Sequence, residues 1–498
     1  MDGSDWSKQD ALNAYHEACA LAAGGHGGLR MWFNRGTLAP ATAYAEFLAS
    51  KRPAAIATGL DGHIELSPRL LPIQRACSEF SLRTGRAGIF LGTGLGKSLV
   101  QLEFSKHAAE DTNGRALILT PLAVAGQFER EANKFGYDAR VIRSQADARG
   151  GINICNYDRL DKLDPDTFGS VCIDEGSAIK AFGGKTTLAL TEAFAGHRFR
   201  LSATATPAPN DHMELGTQAE FLGVLDYREM LSRWFINDTS TASQKWRLKG
   251  HAVSDFWDWV ASWARMAVMP SDMGFSDDGY ELPPLKIFRH KPKHQTVKAK
   301  PGELFAGLAS ATSIYDAKRQ TTEPRADKVA ELVHADPSEP WVCWCDTDKE
   351  SAALKARLPD AVEVKGSLPA EVKEERIAAF LDGQARTLIT KPSICGFGLN
   401  LQFCARTAFI GRTFSYEAWH QAVRRFHRFG QTREVHVHLV VDETERQADE
   451  VVARKEADHK LMQQEMAAAM RRDRSKAHAA MADYSATHNG RLPSWLSA

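Results

Sequence analysis

A glycine-rich loop that ends in lysine and serine is the part of this 498-residue chain whose chemistry is easiest to interpret. Its residues are Gly92, Thr93, Gly94, Leu95, Gly96, Lys97 and Ser98. Glycines let a backbone close around phosphate groups, and the N-terminus of the following helix adds partial positive charge. Lys97 would reach the β- and γ-phosphates of a nucleotide, and the Ser98 hydroxyl would ligate Mg²⁺. Leu91 stands where the strict Walker A pattern has glycine, so a plain glycine-rich turn is the alternative.

An acidic pair, Asp174 and Glu175, directly follows a second apolar segment at 171–173. Asp174 would hold Mg²⁺ through water, and Glu175 would polarise an attacking water as general base. Taken alone, such a pair is equally well explained as a helix cap. A phosphate loop upstream and an acidic pair at a later strand end together favour one nucleotide site.

Two arginines in the second half of the chain, Arg425 and Arg428, lie three residues apart and therefore on one face of a helix. Two guanidinium groups of this kind can neutralise a γ-phosphate in its transition state. The alternative is a solvated basic helix face. A small polar loop, 204–210, follows another apolar segment and is either part of the same site or a proline-stiffened connection.

Short apolar segments that alternate with helical ones must position these side chains. Such segments occur at 87–91, 116–120, 152–156, 171–173, 199–202, 341–345, 387–390, 407–410 and 435–441. They predict an α/β protein with two lobes, each a parallel sheet flanked by helices, at 67–225 and 326–445. The remaining segments are a helical N-terminal extension at 1–66, a Trp-rich helical insertion with a linker at 226–325, and a helical C-terminal tail at 446–498.

The composition excludes several classes of protein. The 62 Lys and Arg residues balance the 62 Asp and Glu residues, which argues against an overall basic coat but permits a local basic groove. No apolar run approaches the ~20 residues that span a bilayer, and the first residues lack a secretory signal pattern, so no membrane association and a cytoplasmic location are expected. The eight cysteines have no zinc-site spacing and are expected to be reduced and buried.

These segments resemble, in this order, the motifs of superfamily 2 helicases, and most closely the remodeller-like Swi/Snf-type ATPases with a DEAD/DEAH box. The matching segments are Leu70–Gln74, Gly94–Ser98, Asp174–Ser177, Thr204–Asn210, Gly396–Asn400 and Gln421–Gln431. The last segment matches at every fixed position of its motif. Ser177 replaces the usual histidine of the acidic box, so the coupling between hydrolysis and movement is expected to differ. Ala205 replaces a glycine, which is a mild change in loop shape.

The resemblance implies two RecA-like lobes that hold ATP and Mg²⁺ in the cleft between them and DNA across the top. It assigns the adenine to Gln74 and further nucleotide contacts to Gly398 and Gln421. Its DNA contacts would be Thr120, Pro121, Asn156, Tyr157, Gly366, Ser367 and Lys391. Contacts of this kind to phosphates carry little sequence information. They therefore suit a motor that moves along DNA of any sequence.

The expected function is an ATP-driven translocase on double-stranded DNA. The first alternative is a strand-separating helicase that acts on DNA or RNA, and a second is a non-catalytic nucleic-acid clamp, which the intact Lys97 and Arg428 disfavour. The insertion resembles the compact versions of the family in phages and mobile elements. Proteins of replication, recombination or restriction would then be the partners.

Three other features have ordinary structural explanations. Trp259 and Trp263, with Phe256, have the helical spacing of a packed core rather than a base-stacking platform. His436 and His438 face one side of a strand without a third metal ligand. Arg471, Arg472, Arg474 and Lys476 form either a solvated helix face or a DNA-tracking tail.

Overall fold

The computed structural model describes residues 56–121, 124–179, 181–238, 245–292, 319–395, 399, 401–411, 415–441 and 446–483. All of them fall within one compact unit, Ala55–Ala498. The predicted N-terminal helices and Gly398 lie outside the described residues. Residues 56–66, which are described, contain no helix or strand.

The first lobe begins with alternating helices and strands, as the apolar pattern predicts. Its strands are β1 Arg86–Leu91, β2 Arg115–Thr120, β3 Ala139–Val141, β4 Gly151–Asn156, β5 Ser170–Asp174 and β6 Phe199–Ala203. Its helices are α1 Pro72–Thr84, α2 Lys97–Glu110, α3 Ala125–Phe135, α4 Lys185–Ala193 and α5 Glu214–Leu222. Nearly every residue of the central strands is buried, because helices cover both faces of a parallel sheet.

The segment predicted as a helical insertion contributes strands to both sheets instead of forming a purely helical unit. Its elements are α6 Tyr227–Trp234, β7 Phe235–Asp238, β8 Lys245–Leu248, α7 Val253–Trp263, β9 Ala264–Ala267 and β10 Leu285–His290. β7 and β8 form an antiparallel hairpin. β9 pairs with β1 and completes the first sheet in the order β3-β4-β2-β5-β6-β1-β9. β9 was not predicted, because it is short and follows α7 directly, so its apolar residues continue the helical pattern in the sequence.

The second lobe is a six-stranded parallel sheet in the order β10-β15-β14-β11-β13-β12. Its strands after β10 are β11 Trp341–Trp344, β12 Val362–Glu363, β13 Thr387–Thr390, β14 Arg406–Ile410 and β15 Val435–Val440. Its helices are α8 Thr322–Ala335, α9 Asp348–Arg357, α10 Ala370–Leu381, α11 Pro392–Cys395 and α12 Tyr416–Arg424. The two parallel sheets flanked by helices confirm the predicted fold class.

The chain continues from β15 into one long helix, α13 Arg446–Asp483, which packs along α7 and against β9. Arg472 pairs with Asp258 at 2.8 Å and Asp473 pairs with Arg265 at 2.9 Å. Among the basic residues predicted as a solvated face or DNA-tracking tail, Arg472 is therefore paired with the insertion. The helix therefore follows the last strand of the second lobe and contacts the last strand of the first sheet.

The tryptophans of α7 form a core, as their spacing predicts. Trp259 and Trp263 are buried, and their ring centroids lie 5.5 Å apart. His438 is hydrogen-bonded to His290 of β10 at 2.9 Å, which confirms a packed strand face. The seven described cysteines are free and buried. None of the described helices is both long enough and apolar enough to span a membrane.

Candidate active site

The glycine-rich loop joins β1 to α2, and two of its glycines have backbone angles that other residues rarely adopt. Gly94 has φ of 98° and Gly96 has φ of 82°. A Cβ on Gly96 would collide with the amide nitrogen of Gln74. Lys97 is the first residue of α2, and its Nζ donates to the carbonyl oxygen of Leu91 at 3.1 Å. The ammonium is thus folded back over the loop that carries it.

Gln74 lies underneath this loop and is 3% exposed. Its Oε1 accepts a hydrogen bond from the backbone N–H of Leu71 at 3.0 Å, and its Nε2 donates to the carbonyl of Leu95 at 3.2 Å. The amide that the resemblance assigns to adenine is therefore engaged with the loop and with its own helix. Gln74 positions the glycine-rich loop.

Asp174 ends β5 and is buried beside the loop, where it accepts two side-chain hydrogen bonds. Gln101 Nε2 donates to Oδ1 at 2.9 Å, and Thr120 Oγ1 donates to Oδ2 at 3.1 Å. Burial, and after it the neighbouring carboxylate of Glu175, raises the pKa of Asp174 to about 6. A cation beside Asp174 would offset both the burial and the repulsion from Glu175, and would favour the ionised carboxylate. A carboxylate that ligates a metal ion needs such an environment.

Gln101 was not predicted from the sequence. Its Oε1 also accepts from Cys172 Sγ at 3.0 Å, so the amide links β5 to α2. The available signal was its spacing, since Gln101 follows Lys97 by four residues and lies on the same face of the helix. Gln101 therefore fixes the orientation of the acidic side chain relative to the phosphate loop.

Glu175 has φ of 54° and is the one non-glycine residue with positive φ in the part of the chain that the structure describes. Strained backbone of this kind costs roughly 1–3 kcal/mol and is found at functional sites. Its carboxylate accepts from Thr204 Oγ1 at 3.4 Å, and it lies 3.8 Å from the Nη2 atom of Arg425. Glu175 thus lies near both the polar loop after β6 and Arg425, the residue that follows the last helix of the second lobe.

The acidic box is also joined to the next motif by a route that bypasses Ser177. Gln218 of α5 donates from Nε2 to the carbonyl of Gly176 at 2.7 Å, and Ser202 Oγ donates to Gln218 Oε1 at 2.6 Å. Ser202 lies on β6, directly before the 204–210 loop. This amide provides a connection between motifs where the resembling family has a histidine.

The arginine pair follows α12, a helix that Ser415 caps by accepting from the backbone N–H of Ala418 at 3.1 Å. The predicted placement of both arginines on one helix face is wrong, because the helix ends at Arg424, Arg425 is its C-cap and Arg428 lies in the loop beyond it. Burial lowers the pKa of Arg425 and, with the charge of Arg425, lowers the pKa of Arg428 to about 10. The Nε atom of Arg428 is buried and has no hydrogen-bond partner among the described residues. Such a group is expected to find a partner in an anionic ligand.

Lys97, Arg425 and Arg428 converge on the acidic pair from two lobes. Burial lowers the pKa of Lys97, the two carboxylates of the pair oppose that shift, and both arginines add to it. Buried charges are stable only when they are paired. With a further carboxylate, Glu131, beside Arg428, three cations lie among three carboxylates at this site.

Glu131 of α3 is a further carboxylate that sequence reasoning missed. Burial raises its pKa, while a hydrogen bond from the Ser98 hydroxyl and the charge of Arg428 act in the opposite direction. The hydroxyl predicted to ligate Mg²⁺ therefore has a carboxylate partner in this conformation. Nothing in the local sequence of α3 separates Glu131 from the other charged residues of that helix.

The second lobe also touches the phosphate loop directly. A Cβ added to Gly94 would lie 2.8 Å from the backbone nitrogen of Phe429. Gln421, predicted to contact the nucleotide, is buried and donates to Glu417 at 3.5 Å, and its Oε1 has no partner among the described residues.

The candidate DNA contacts divide into buried and exposed groups. Thr120 is 0% exposed and bonded to Asp174, and Tyr157 donates its hydroxyl to the backbone oxygen of Asp174 at 2.5 Å. These hydrogen bonds support the acidic pair, and the predicted role of the two side chains in DNA binding stays a prediction. Asn156 is buried as well. The exposed or partly exposed candidates are Pro121, Tyr157, Gly366, Ser367 and Lys391, the last of which pairs with Asp348 at 2.9 Å.

No family model matches the chain, and no curated protein matches it. Among solved structures it is similar to the Sulfolobus solfataricus SWI2/SNF2 ATPase core in complex with dsDNA. The two share 16% sequence identity, the match covers 82% of this chain and 96% of that one, and the TM-score is 0.38. The fold described above rests on strand order and register, independently of this similarity.

Proposed function

We propose that this chain is a DNA-dependent ATP hydrolase that moves along double-stranded DNA. The observation that carries the proposal is the 3.8 Å approach between Glu175 of the first lobe and Arg425 of the second, beside a glycine-rich loop. A candidate general base and a candidate transition-state cation meet across the junction of two lobes. Hydrolysis at such a junction is coupled to lobe movement, which is what a motor requires.

In this proposal the loop amides and Lys97 bind the β- and γ-phosphates of ATP. Ser98 and Asp174 hold Mg²⁺, which when bound neutralises charge on the phosphate oxygens and orients them. The rise in the pKa of Asp174 to about 6 is consistent with this role, because a bound cation would stabilise the ionised carboxylate. Thr120 and Gln101 keep its two oxygens oriented through hydrogen bonds of 3.1 and 2.9 Å.

Glu175 takes the proton of the attacking water as it approaches the γ-phosphorus. The positive φ at Glu175 directs this side chain differently from that of Asp174, so adjacent carboxylates can have separate roles. Arg428 approaches the developing charge on the γ-phosphate with its unpartnered Nε and its guanidinium fork. Arg425, whose Nη2 lies 3.8 Å from Glu175, keeps this side chain in place until the phosphate arrives.

The DNA part of the proposal rests on the order and spacing of the motifs, which resemble those of double-stranded DNA motors. Exposed Gly366 and Ser367 of the second lobe are suitable for contacts with a phosphate backbone, since small polar residues and backbone amides bind phosphates without reading bases. The neutral net charge predicts modest binding that weakens with salt by a slope of about −0.9 for each phosphate neutralised.

The deciding experiment is steady-state ATP hydrolysis by the full chain without nucleic acid and with duplex DNA, single-stranded DNA and RNA in parallel. Duplex DNA should stimulate the rate most, and Lys97→Ala should abolish it. Equal rates for wild type and Lys97→Ala would overturn the catalytic assignment and leave a nucleic-acid clamp. A preference for single strands, with unwinding of a forked duplex, would replace translocation by strand separation.

A further inference from the structure

We infer that Tyr157 and Gln218 are positioning residues that hold the backbone of Glu175 in its left-handed conformation and thereby direct the carboxylate that acts as general base. The inference rests on the proposed function, because it concerns the general base of the same reaction. Neither side chain is assigned to the nucleotide. Each acts through the main chain of the acidic box.

The carboxylate of Glu175 is held only loosely by its own contacts. Thr204 Oγ1 lies 3.4 Å from it, and Arg425 Nη2 lies 3.8 Å from it. The carboxylate of Asp174, in contrast, accepts two shorter hydrogen bonds, at 2.9 and 3.1 Å. The direction of the Glu175 side chain must therefore be set mainly by the backbone from which it projects.

The residues on either side of Glu175 have carbonyl groups that accept hydrogen bonds from side chains far along the chain. The Tyr157 hydroxyl donates to the carbonyl oxygen of Asp174 at 2.5 Å. Gln218 Nε2 donates to the carbonyl oxygen of Gly176 at 2.7 Å. The main chain of the acidic box is thus fixed from two separate elements, the end of β4 and helix α5.

This support coincides with the positive φ of 54° at Glu175. A non-glycine residue keeps such a conformation only where the surrounding structure fixes it. The peptide unit before Glu175 is fixed by Tyr157, and the unit after it accepts a hydrogen bond from the backbone N–H of Ala178 at 2.9 Å. Gln218 fixes the next unit. A return of Glu175 to an ordinary φ would break at least one of these bonds.

Gln218 is suited to this role because its amide is buried and bonded at both ends. The residue is 0% exposed, and its Oε1 accepts from Ser202 Oγ at 2.6 Å. The carbonyl of Gly176 can only accept, so the amide nitrogen must face it and the oxygen faces Ser202. A Cβ on Gly176 would lie 2.3 Å from Ser202 Oγ, which shows how closely this backbone approaches β6.

Tyr157 reaches the acidic box from a strand that is not its neighbour. It directly follows β4, and β2 lies between β4 and β5 in the sheet. The side chain is half-buried, and its hydroxyl lies at the end of β5 beside Asp174. The DNA contact predicted for Tyr157 is a separate role, because it would affect the reaction whether or not Glu175 can act as a base.

The test is a pair of double-mutant cycles with Glu175→Gln, measured as single-turnover ATP hydrolysis by the full chain with saturating duplex DNA. Tyr157→Phe and Gln218→Met each remove one donor and nearly keep the shape of the side chain. Each should lower the rate about 10- to 100-fold, as expected for a misplaced catalytic group, and should leave ADP affinity unchanged. In the Glu175→Gln background neither should lower the rate further, because the group that they position is already lost.

Tyr137→Phe and Thr217→Val are the matched controls, because each removes a buried hydroxyl that donates a different hydrogen bond in the first lobe. Both should hydrolyse ATP at the wild-type rate. Wild-type rates in Tyr157→Phe and Gln218→Met would overturn the inference. Equal losses with and without Glu175→Gln would also overturn it, since a DNA contact or a general loss of stability would act in both backgrounds.

Urea unfolding tests the support of the Glu175 backbone without any activity. Glycine adopts positive φ readily, so Glu175→Gly should unfold at a higher urea concentration than Glu175→Ala. The difference should shrink when Tyr157→Phe or Gln218→Met is added, because the backbone can then relax. Equal midpoints for Glu175→Gly and Glu175→Ala would overturn the support, as would a difference that the added substitutions leave unchanged. A wild type that shows the expected urea pattern yet hydrolyses no ATP would overturn the proposed function alone.

Discussion

Arg425 Nη2 of the second lobe lies 3.8 Å from Glu175 Oε1 of the first, and both side chains are largely shielded from water. At this distance two opposite charges attract strongly only where water is excluded. The contact therefore stabilises a conformation in which the two lobes meet at this pair. In the proposed function the γ-phosphate of ATP would lie beside this pair, so the pair would be positioned to sense the nucleotide.

Replacing Glu175 by glutamine should abolish hydrolysis and preserve nucleotide binding. The amide cannot accept the proton of the attacking water, and general-base catalysis contributes roughly 10²–10⁴-fold. We expect kcat to fall by at least about 100-fold, measured as DNA-stimulated phosphate release, with ADP affinity unchanged. The control is Glu192→Gln at an exposed position of α4. A variant that retains half of the wild-type rate would exclude Glu175 as the base.

Replacing Arg428 by alanine should lower kcat by ~10³-fold or more, because arginine fingers act mainly in the transition state of phosphoryl transfer. Lysine should restore little activity, since it lacks the guanidinium fork. Arg433→Ala, which removes an exposed partner of Glu339 at 2.8 Å, is the matched control. A rise in KM at unchanged kcat would show that Arg428 stabilises the ground state and the transition state equally, and would exclude it as an arginine finger.

The sequence predicted the central strands of both sheets because parallel strands covered on both faces consist of nearly continuous apolar residues. β1 and β13 are examples, with buried residues throughout almost their whole lengths. β10 was not predicted, because it is an edge strand with exposed residues at Lys286, Ile287, Phe288 and Arg289. An edge strand needs no apolar pattern, so its pairing with β15 becomes evident only in three dimensions.

In the candidate site, too, residues of short sequence motifs were predicted, whereas residues that act on distant parts of the chain were not. The glycine-rich loop, the acidic pair and the arginine pair are continuous in sequence and were predicted. Gln101, Glu131 and Gln218 were not, because each acts on a residue far along the chain; Gln218, for example, bonds Gly176. The φ of 54° at Glu175 could not be predicted either, because glutamate does not by itself specify a positive φ.

Replacing Gly96 by alanine should destroy the phosphate loop. The residue has φ of 82°, and a Cβ would strike the Gln74 amide that supports the loop. Gly114→Ala is the matched control, because Gly114 has φ of 78° and nothing within 4 Å of an added Cβ. The control should lose only the ~1–2 kcal/mol of left-handed strain. Gly96→Ala should lose more in urea unfolding and should also lose ADP binding; equal losses in the two variants would contradict the clash.

Acidification should destabilise the fold through His459. Burial, with the charge of Arg424, lowers the pKa of this imidazole to about 4, while Glu456 opposes the shift and His212 adds to it. Because the folded-state pKa lies below the unfolded value of about 6.5, the unfolded state binds more protons between these two values. His459 therefore contributes its full stability above pH ~6.5 and loses it as the pH falls towards ~4.

The loss should reach up to about 3 kcal/mol. It is measured as the difference in unfolding free energy between wild type and His459→Gln at pH 7.5, 6, 5 and 4.5. The wild type should lose stability relative to this variant as the pH falls, because glutamine does not titrate. His334→Gln, at an exposed position near the end of α8, should follow the wild-type curve. Parallel curves for wild type and His459→Gln would mean that another group controls the acid response.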